Sequence, residues 1–179
     1  MRPNPILVIG YGNDLRGDDA AGQRAAAGVG AWRLPGVQVL TLHQLTPEVA
    51  DSLASSARAI FLDAHPVADG SAVRVRRLRA AIGAPHIAHT CDPQALLDLA
   101  QTAFGHAPEA WWITIPAADF AFGAPLSRLT EHGVADALTA VRPLLESRPP
   151  RPDAAAWRGD ASAAGGSNRS AARLGPARP

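Results

Sequence analysis

"ILVIGYGNDLRGDD", residues 6–19, runs from an unbroken apolar stretch into a glycine-rich loop that ends on two aspartates. Four consecutive aliphatic residues closed by glycine read as a strand buried on both faces, the kind found in parallel sheets. The loop then poses a question of charge. Glycines after such a strand open phosphate-cradling loops, whereas carboxylates at the start of the next helix suit a cation. A dinucleotide fingerprint needs a third glycine three positions after the second, and that position is Leu15. A P-loop lysine is excluded because the chain contains no Lys. Asp18 and Asp19 stand where a phosphate would sit and repel it by several kcal/mol in a partly dry site. The loop is not an anion cradle. Two uses remain for the acids: capping the helix and complementing its dipole, or holding a cation. One cap would be enough, yet an acid in the first turn is common, so the loop alone leaves both readings open.

Downstream, strands and helices alternate. "PILVIG" (5–10), "VQVLTL" (37–42), "ARAIFLDA" (57–64) and "AWWITIP" (110–116) read as strands, and "SAVRVRRLR" (71–79) alternates like a half-exposed edge strand. Residues 18–32 read as an Ala-rich helix begun by Asp. Residues 46–56 read as a helix with Thr46 as N-cap and Pro47 at its first position. Residues 92–105 form a helix capped by Asp92-Pro93 and closed by Gly105, and residues 127–147 form the last helix. This order predicts a single α/β domain over 1–146, with a twisted, mainly parallel sheet, helices on both faces and one antiparallel edge. In such sheets ligands gather at the carboxyl ends of the strands.

At 179 residues the chain suits one domain. No apolar stretch reaches the roughly 18 residues of a membrane helix. The single Cys excludes an internal disulfide and fits a reducing cytoplasm. Through Glu146 there are 11 Arg against 14 acids, and from Ser147 onward 6 Arg against 2 Asp. The segment 147–179, rich in Pro, Ala, Gly and Arg with no apolar period, reads as a disordered tail. Its arginines suit a solvated tail better than a nucleic-acid site.

The chemistry-bearing residues follow the strand ends. Asp63 directly follows a buried strand; a loop cap is its ordinary role. If the strands at 5–10 and 57–64 are neighbours, Asp63 faces Asp19, and two facing carboxylates without a cation raise one pKa. A metal resolves that conflict. His89, in "HIAHTCDP", lies just ahead of a capped helix that can reach the same edge, although a lone His is more often structural than a ligand. His86 sits beyond two apolar residues. His43 follows the second strand, His65 belongs to the Asp63 loop, and His106 and His132 read as surface positions. Cys91 offers a thiolate alternative, but the adjacent Asp92 raises a thiol pKa.

Taken in register, "LVIGYGNDLRGDDAAG", "LHQLTPEVADSL", "AIFLDA", "HTCDPQALLDLAQTAFGHAPEAWWITI" and "FAFGAPLS" resemble the nickel-iron hydrogenase maturation endopeptidases over nearly all of residues 5–146. The resemblance implies a small α/β enzyme that removes a C-terminal peptide from the hydrogenase large-subunit precursor after nickel insertion. It implies a metal-binding trio at Asp19, Asp63 and His89, with nickel as the ion, delivered within the substrate. Substrate recognition is expected at Gly12, Asn13, His43, Gln44 and Thr46, with no nucleic-acid or membrane partner. The first ligand is often Glu in the family, so Asp19 must approach more closely. The stretch His43-Gln44-Leu45-Thr46 replaces an Asp-Gly-rich motif of many relatives and points to a different client, and the tail has no counterpart. The catalytic group is not assigned; Asp19, Asp63 and His89 through the metal, and His43, are the candidates. A non-proteolytic nickel-binding chaperone or docking module for the large subunit is the alternative function, and a nucleotide-binding domain is disfavoured by Leu15 and the aspartates.

Overall fold

The computed structural model describes residues 5–80 and 91–146. His86, His89 and the expected tail at 147–179 lie outside the described residues.

Among the described residues five strands form one sheet: β1 (Ile6–Tyr11), β2 (Val37–Leu42), β3 (Arg58–Pro66), β4 (Arg74–Leu78) and β5 (Glu109–Ala117), in the order β2-β1-β3-β5-β4. β1 runs parallel to β2 and β3, β3 runs parallel to β5, and β4 joins antiparallel at the edge. The expected α/β architecture with one antiparallel edge is the one observed.

Burial on both faces explains the unbroken apolar strands. Leu7, Ile9 and Phe61 enter one layer with Leu53 of α2 (Val49–Ala54) and Leu96 and Leu97 of α3 (Pro93–Phe104). Val8, Ile60 and Leu62 point the other way, onto Ala25, Ala26 and Val29 of α1 (Ala21–Ala31) and Ala137 and Val141 of α4 (Arg128–Glu146). Each fully buried aliphatic side chain contributes about 1.5–3 kcal/mol relative to exposure. The small residues of α1 bring it close. A Cβ on Gly22 would lie 2.3 Å from the Leu62 carbonyl oxygen and 2.5 Å from that of Tyr11. The first turn of α1 therefore rests directly on the ends of β1 and β3.

Helix ends agree with the sequence at α3 and α4 and differ at the first two helices. Asp92 Oδ1 accepts the Ala95 N–H at 2.7 Å, Pro93 opens the helix, and Gly105 closes it in the left-handed region. Such a cap is worth about 1 kcal/mol. The expected helix at 18–32 instead begins as a 3₁₀ turn, Gly17–Ala20, before α1 starts at Ala21. Thr46 is not an N-cap. The carbonyls of Thr46 and Pro47 accept the N–H groups of Val49 and Ala50 in a turn, so α2 starts at Val49. The backbone itself satisfies those donors, and a side-chain cap is not needed there. Among the described residues no helix is long and apolar enough to cross a membrane.

Candidate active site

β1 and β3 are hydrogen-bonded neighbours, with Gly10 beside Leu62. β1 ends at Tyr11 whereas β3 runs on to Pro66, so Asp63 lies within its strand and not directly after it, and it meets the end of β1 where the loop begins. Gly12 has φ +137°, and a Cβ there would lie 1.9 Å from the Asp19 carbonyl oxygen, so only glycine fits. Asn13 forms a local turn by accepting the Leu15 N–H on Oδ1 at 2.9 Å, and its own N–H donates to Asp19 Oδ2 at 2.9 Å. Gln23 donates to the Gly12 carbonyl from the first turns of α1. These bonds turn Asp19 back over the loop. Among the described residues, Asp19 Oδ1 accepts no hydrogen bond.

Asp18 serves a different purpose. It is fully buried and gathers the loop between β5 and α4. Its Oδ2 accepts the N–H groups of Ala118 (2.8 Å) and Asp119 (2.9 Å) and the Ser127 hydroxyl (2.7 Å), while Oδ1 accepts the Ser127 N–H at 2.6 Å. Burial pushes its carboxyl upward, but the donors of Ser127, Asp119 and Ala118 outweigh that and hold it at about 2. Neither acid caps α1, whose N-cap is Ala20 without a side-chain bond. One latches a distant loop, and the other is left to the site.

Asp63 accepts the Tyr11 hydroxyl on Oδ2 at 2.7 Å and the Ala64 N–H on Oδ1 at 2.8 Å. Its carboxyl is pushed up to about 6, chiefly by burial; the hydrogen bonds from Tyr11 and Ala64 pull it down, and the charge of Asp19 adds to the rise. The indole N–H of Trp112 also steadies the carboxylate, at a geometry short of a hydrogen bond. Burial, and then the charge of Asp63, drive the Tyr11 phenol far above its ordinary value, so it remains the donor. Tyr11→Phe removes a bond that favours the ionised acid. The Asp63 carboxyl is expected to titrate above 6 in that variant, read from its side-chain carbon resonance; an unchanged midpoint would contradict the pairing.

The other expected residues are dispersed. His43 and Gln44 are exposed just after β2, and Thr46 is half-buried in the next turn. His65 is buried and binds the Gly70 carbonyl at 2.9 Å through Nε2, holding the turn Val67–Asp69. His106 contacts the Ser56 carbonyl at 3.2 Å, near the start of β3 and away from the site, and His132 is exposed on α4. Cys91 is pushed up by burial and by the charges of Asp92 and Glu48, which leaves a protonated thiol at neutral pH. Asp92 also acts electrostatically on Tyr11, so the start of α3 opens beside the Tyr11–Asp63 pair. His89 lies two positions before Cys91, outside the described residues. Among the described residues, no group of three His, Cys, Asp or Glu is placed to hold a metal.

Solved structures share this arrangement of strands and helices. The hydrogenase maturation protease HycI of Thermococcus kodakarensis matches with a TM-score of 0.63 at 18% identity, covering 82% of this chain and 95% of its own. The hydrogenase-maturating endopeptidase HybD of Escherichia coli matches with a TM-score of 0.60 at 18% identity, covering 78% and 93%. The fold is that of the hydrogenase maturation proteases. The hydrogenase 2 maturation peptidase of a Thaumarchaeota archaeon adds a TM-score of 0.58 at 21% identity, covering 79% and 98%. No protein-family model and no curated protein sequence matches the chain. Within this maturation-protease fold, Tyr11 is the residue that sequence reasoning missed. Its signal was a lone polar aromatic at the end of a buried strand, directly before the loop.

Proposed function

We propose that this chain is an endopeptidase that removes the C-terminal peptide of a nickel-iron hydrogenase large-subunit precursor once nickel is inserted. The reading is supported by the maturation-protease fold and carried by one observation: a half-buried carboxylate, Asp63, held beside a second acid, Asp19, where β1 ends against β3. Burying two acids together is unfavourable by itself. A divalent ion offsets that, and the unbonded Oδ1 of Asp19 is a free donor for it. Asp19, Asp63 and His89 are the residues that would hold nickel carried by the precursor; two carboxylates and an imidazole suit such a borderline ion.

The metal would supply Lewis-acid polarisation of a carbonyl or water. The chain supplies position. Tyr11 and Ala64 fix the Asp63 carboxylate, Asn13 fixes Asp19, and Gly12, Asn13, His43, Gln44 and Thr46 are the proposed contacts to the precursor. An enzyme whose ligands await an ion brought by the precursor is idle until a loaded client docks. That gives the processing step its timing, in the cytoplasm where precursors mature.

The test mixes purified full-length protein with nickel-loaded precursor and reads the precursor's C-terminus by intact-mass spectrometry. Loss of a C-terminal peptide is expected with loaded precursor only. A stable complex with uncut precursor would instead establish the chaperone alternative. Cys91→Ala is expected to process within about twofold of the wild type, because a thiol held above its ordinary pKa is a poor nucleophile. Complete loss in that variant would point to thiol chemistry.

A further inference from the structure

Beside Asp63, on the face of the sheet shared with α3, lies a groove of ≈ 480 Å³ lined by Asp63, His65, Arg74, Arg76, Trp112 and Thr114. Its floor is β5 and its outer wall is the edge strand β4. Arg74 and Arg76 are two apart on β4 and face the same side. Arg76 lies over the Trp112 ring at 4.9 Å, which orders its guanidinium. On the opposite face Arg77 is neutralised by Glu109 at 2.8 Å. Neither Arg74 nor Arg76 has an ion pair among the described residues.

We infer that this groove binds an extended acidic peptide, with carboxylates at alternate positions seated on Arg74 and Arg76. Residues two apart on a strand are separated by about 6.5–7 Å, on β4 and on an extended peptide alike. Each arginine can take a carboxylate through two parallel hydrogen bonds. Among the described residues no strand pairs with the outer edge of β4, and that edge would add main-chain pairing, as in strand-addition recognition. Arginines on an edge strand also discourage aggregation, but that role does not account for a concavity that leads to the Asp63 carboxylate. Resting on the endopeptidase reading above, the occupant is the precursor segment adjoining the cleaved bond: a cation-holding carboxylate at one end of the groove, two cations along its wall.

The experiment uses purified full-length protein and two fluorescein-labelled decapeptides, one alternating Glu with Thr and one alternating Gln with Thr, read by anisotropy. Saturable binding of the Glu peptide is expected, at least tenfold tighter than the Gln peptide, and reduced at least tenfold in R74Q/R76Q with unchanged melting temperature. No saturable binding, equal binding of both peptides, or full binding by the double variant would overturn the inference. A single-stranded thymidine oligonucleotide bound as tightly as the Glu peptide would overturn it too, as a general polyanion site. With loaded precursor, the double variant should raise KM while kcat holds. Peptide binding without any cleavage of precursor removes the endopeptidase reading alone; cleavage with unaltered KM in the double variant removes the groove alone.

Discussion

Asp63→Asn is expected to lower precursor processing by at least a thousandfold while leaving the protein as stable as the wild type or more so. The two effects have one cause. The Asp63 carboxyl is held near 6, against an ordinary 3.8, mainly because it is buried. Between about pH 4 and 6 the folded state therefore keeps a proton that the unfolded chain has released. Stability falls as pH rises through that window and stays lower above it, by roughly 3 kcal/mol for a shift of this size. Asparagine has no charge to bury and can still accept the Tyr11 hydroxyl, so part of that cost is removed at pH 7.5. What it loses, on the proposed function, is an anionic donor to the ion. Urea denaturation at pH 7.5 and the processing assay read the two halves separately. A clearly destabilised variant would mean that Asp63 is a structural acid, and undiminished processing would remove it from the site.

Asp18→Ala should produce the opposite pattern, a large loss of stability from a residue that meets no ligand. Four donors converge on its buried carboxylate, and alanine leaves them unsatisfied inside the protein. Removing one side of such a buried arrangement costs about 3–5 kcal/mol, or a melting temperature lower by about 10 °C. The pH dependence has the reverse sign to that of Asp63. A carboxyl held at about 2 adds stability that is complete above its unfolded value of 3.8 and is lost as pH falls toward 2, worth roughly 2.5 kcal/mol. Wild type and variant should converge in acid. The latched loop carries Phe122, 79% exposed, and is tied to the opening loop by the Gly123 N–H on the Leu15 carbonyl at 2.8 Å. Leu15 is itself 54% exposed. Loosening this pair of apolar tips should weaken precursor docking as well. Equal thermal melts for the two proteins would contradict the latch.

The contrast between neighbouring aspartates marks where the sequence was legible and where it was not. Strand positions were readable because burial on both faces demands uninterrupted apolar side chains, as in Leu7–Ile9 and Ile60–Leu62. The start of α3 was readable because Asp92-Pro93 is a local signal whose bonds close within one turn. The roles of Asp18 and Asp19 were not local. The partners of Asp18 lie at least 100 positions away, and no pattern near residue 18 announces them. Tyr11 was hidden for the same reason: its partner, Asp63, is 52 positions distant and becomes a neighbour only when β3 pairs with β1. Thr46 was misread because Thr-Pro is a strong capping signal, yet backbone carbonyls had already taken the donors.

The central claim is that Asp19, Asp63 and His89 hold one divalent ion at a single edge of the sheet. Crystals of the full-length protein soaked with Ni²⁺, with diffraction recorded on both sides of the nickel absorption edge, test it most directly. The account predicts one anomalous peak about 2.0–2.2 Å from an oxygen of each carboxylate and from an imidazole nitrogen of His89, distances usual for divalent ions of this size. A peak elsewhere, or an ion touching Asp63 while Asp19 and His89 stay out of reach, would contradict it.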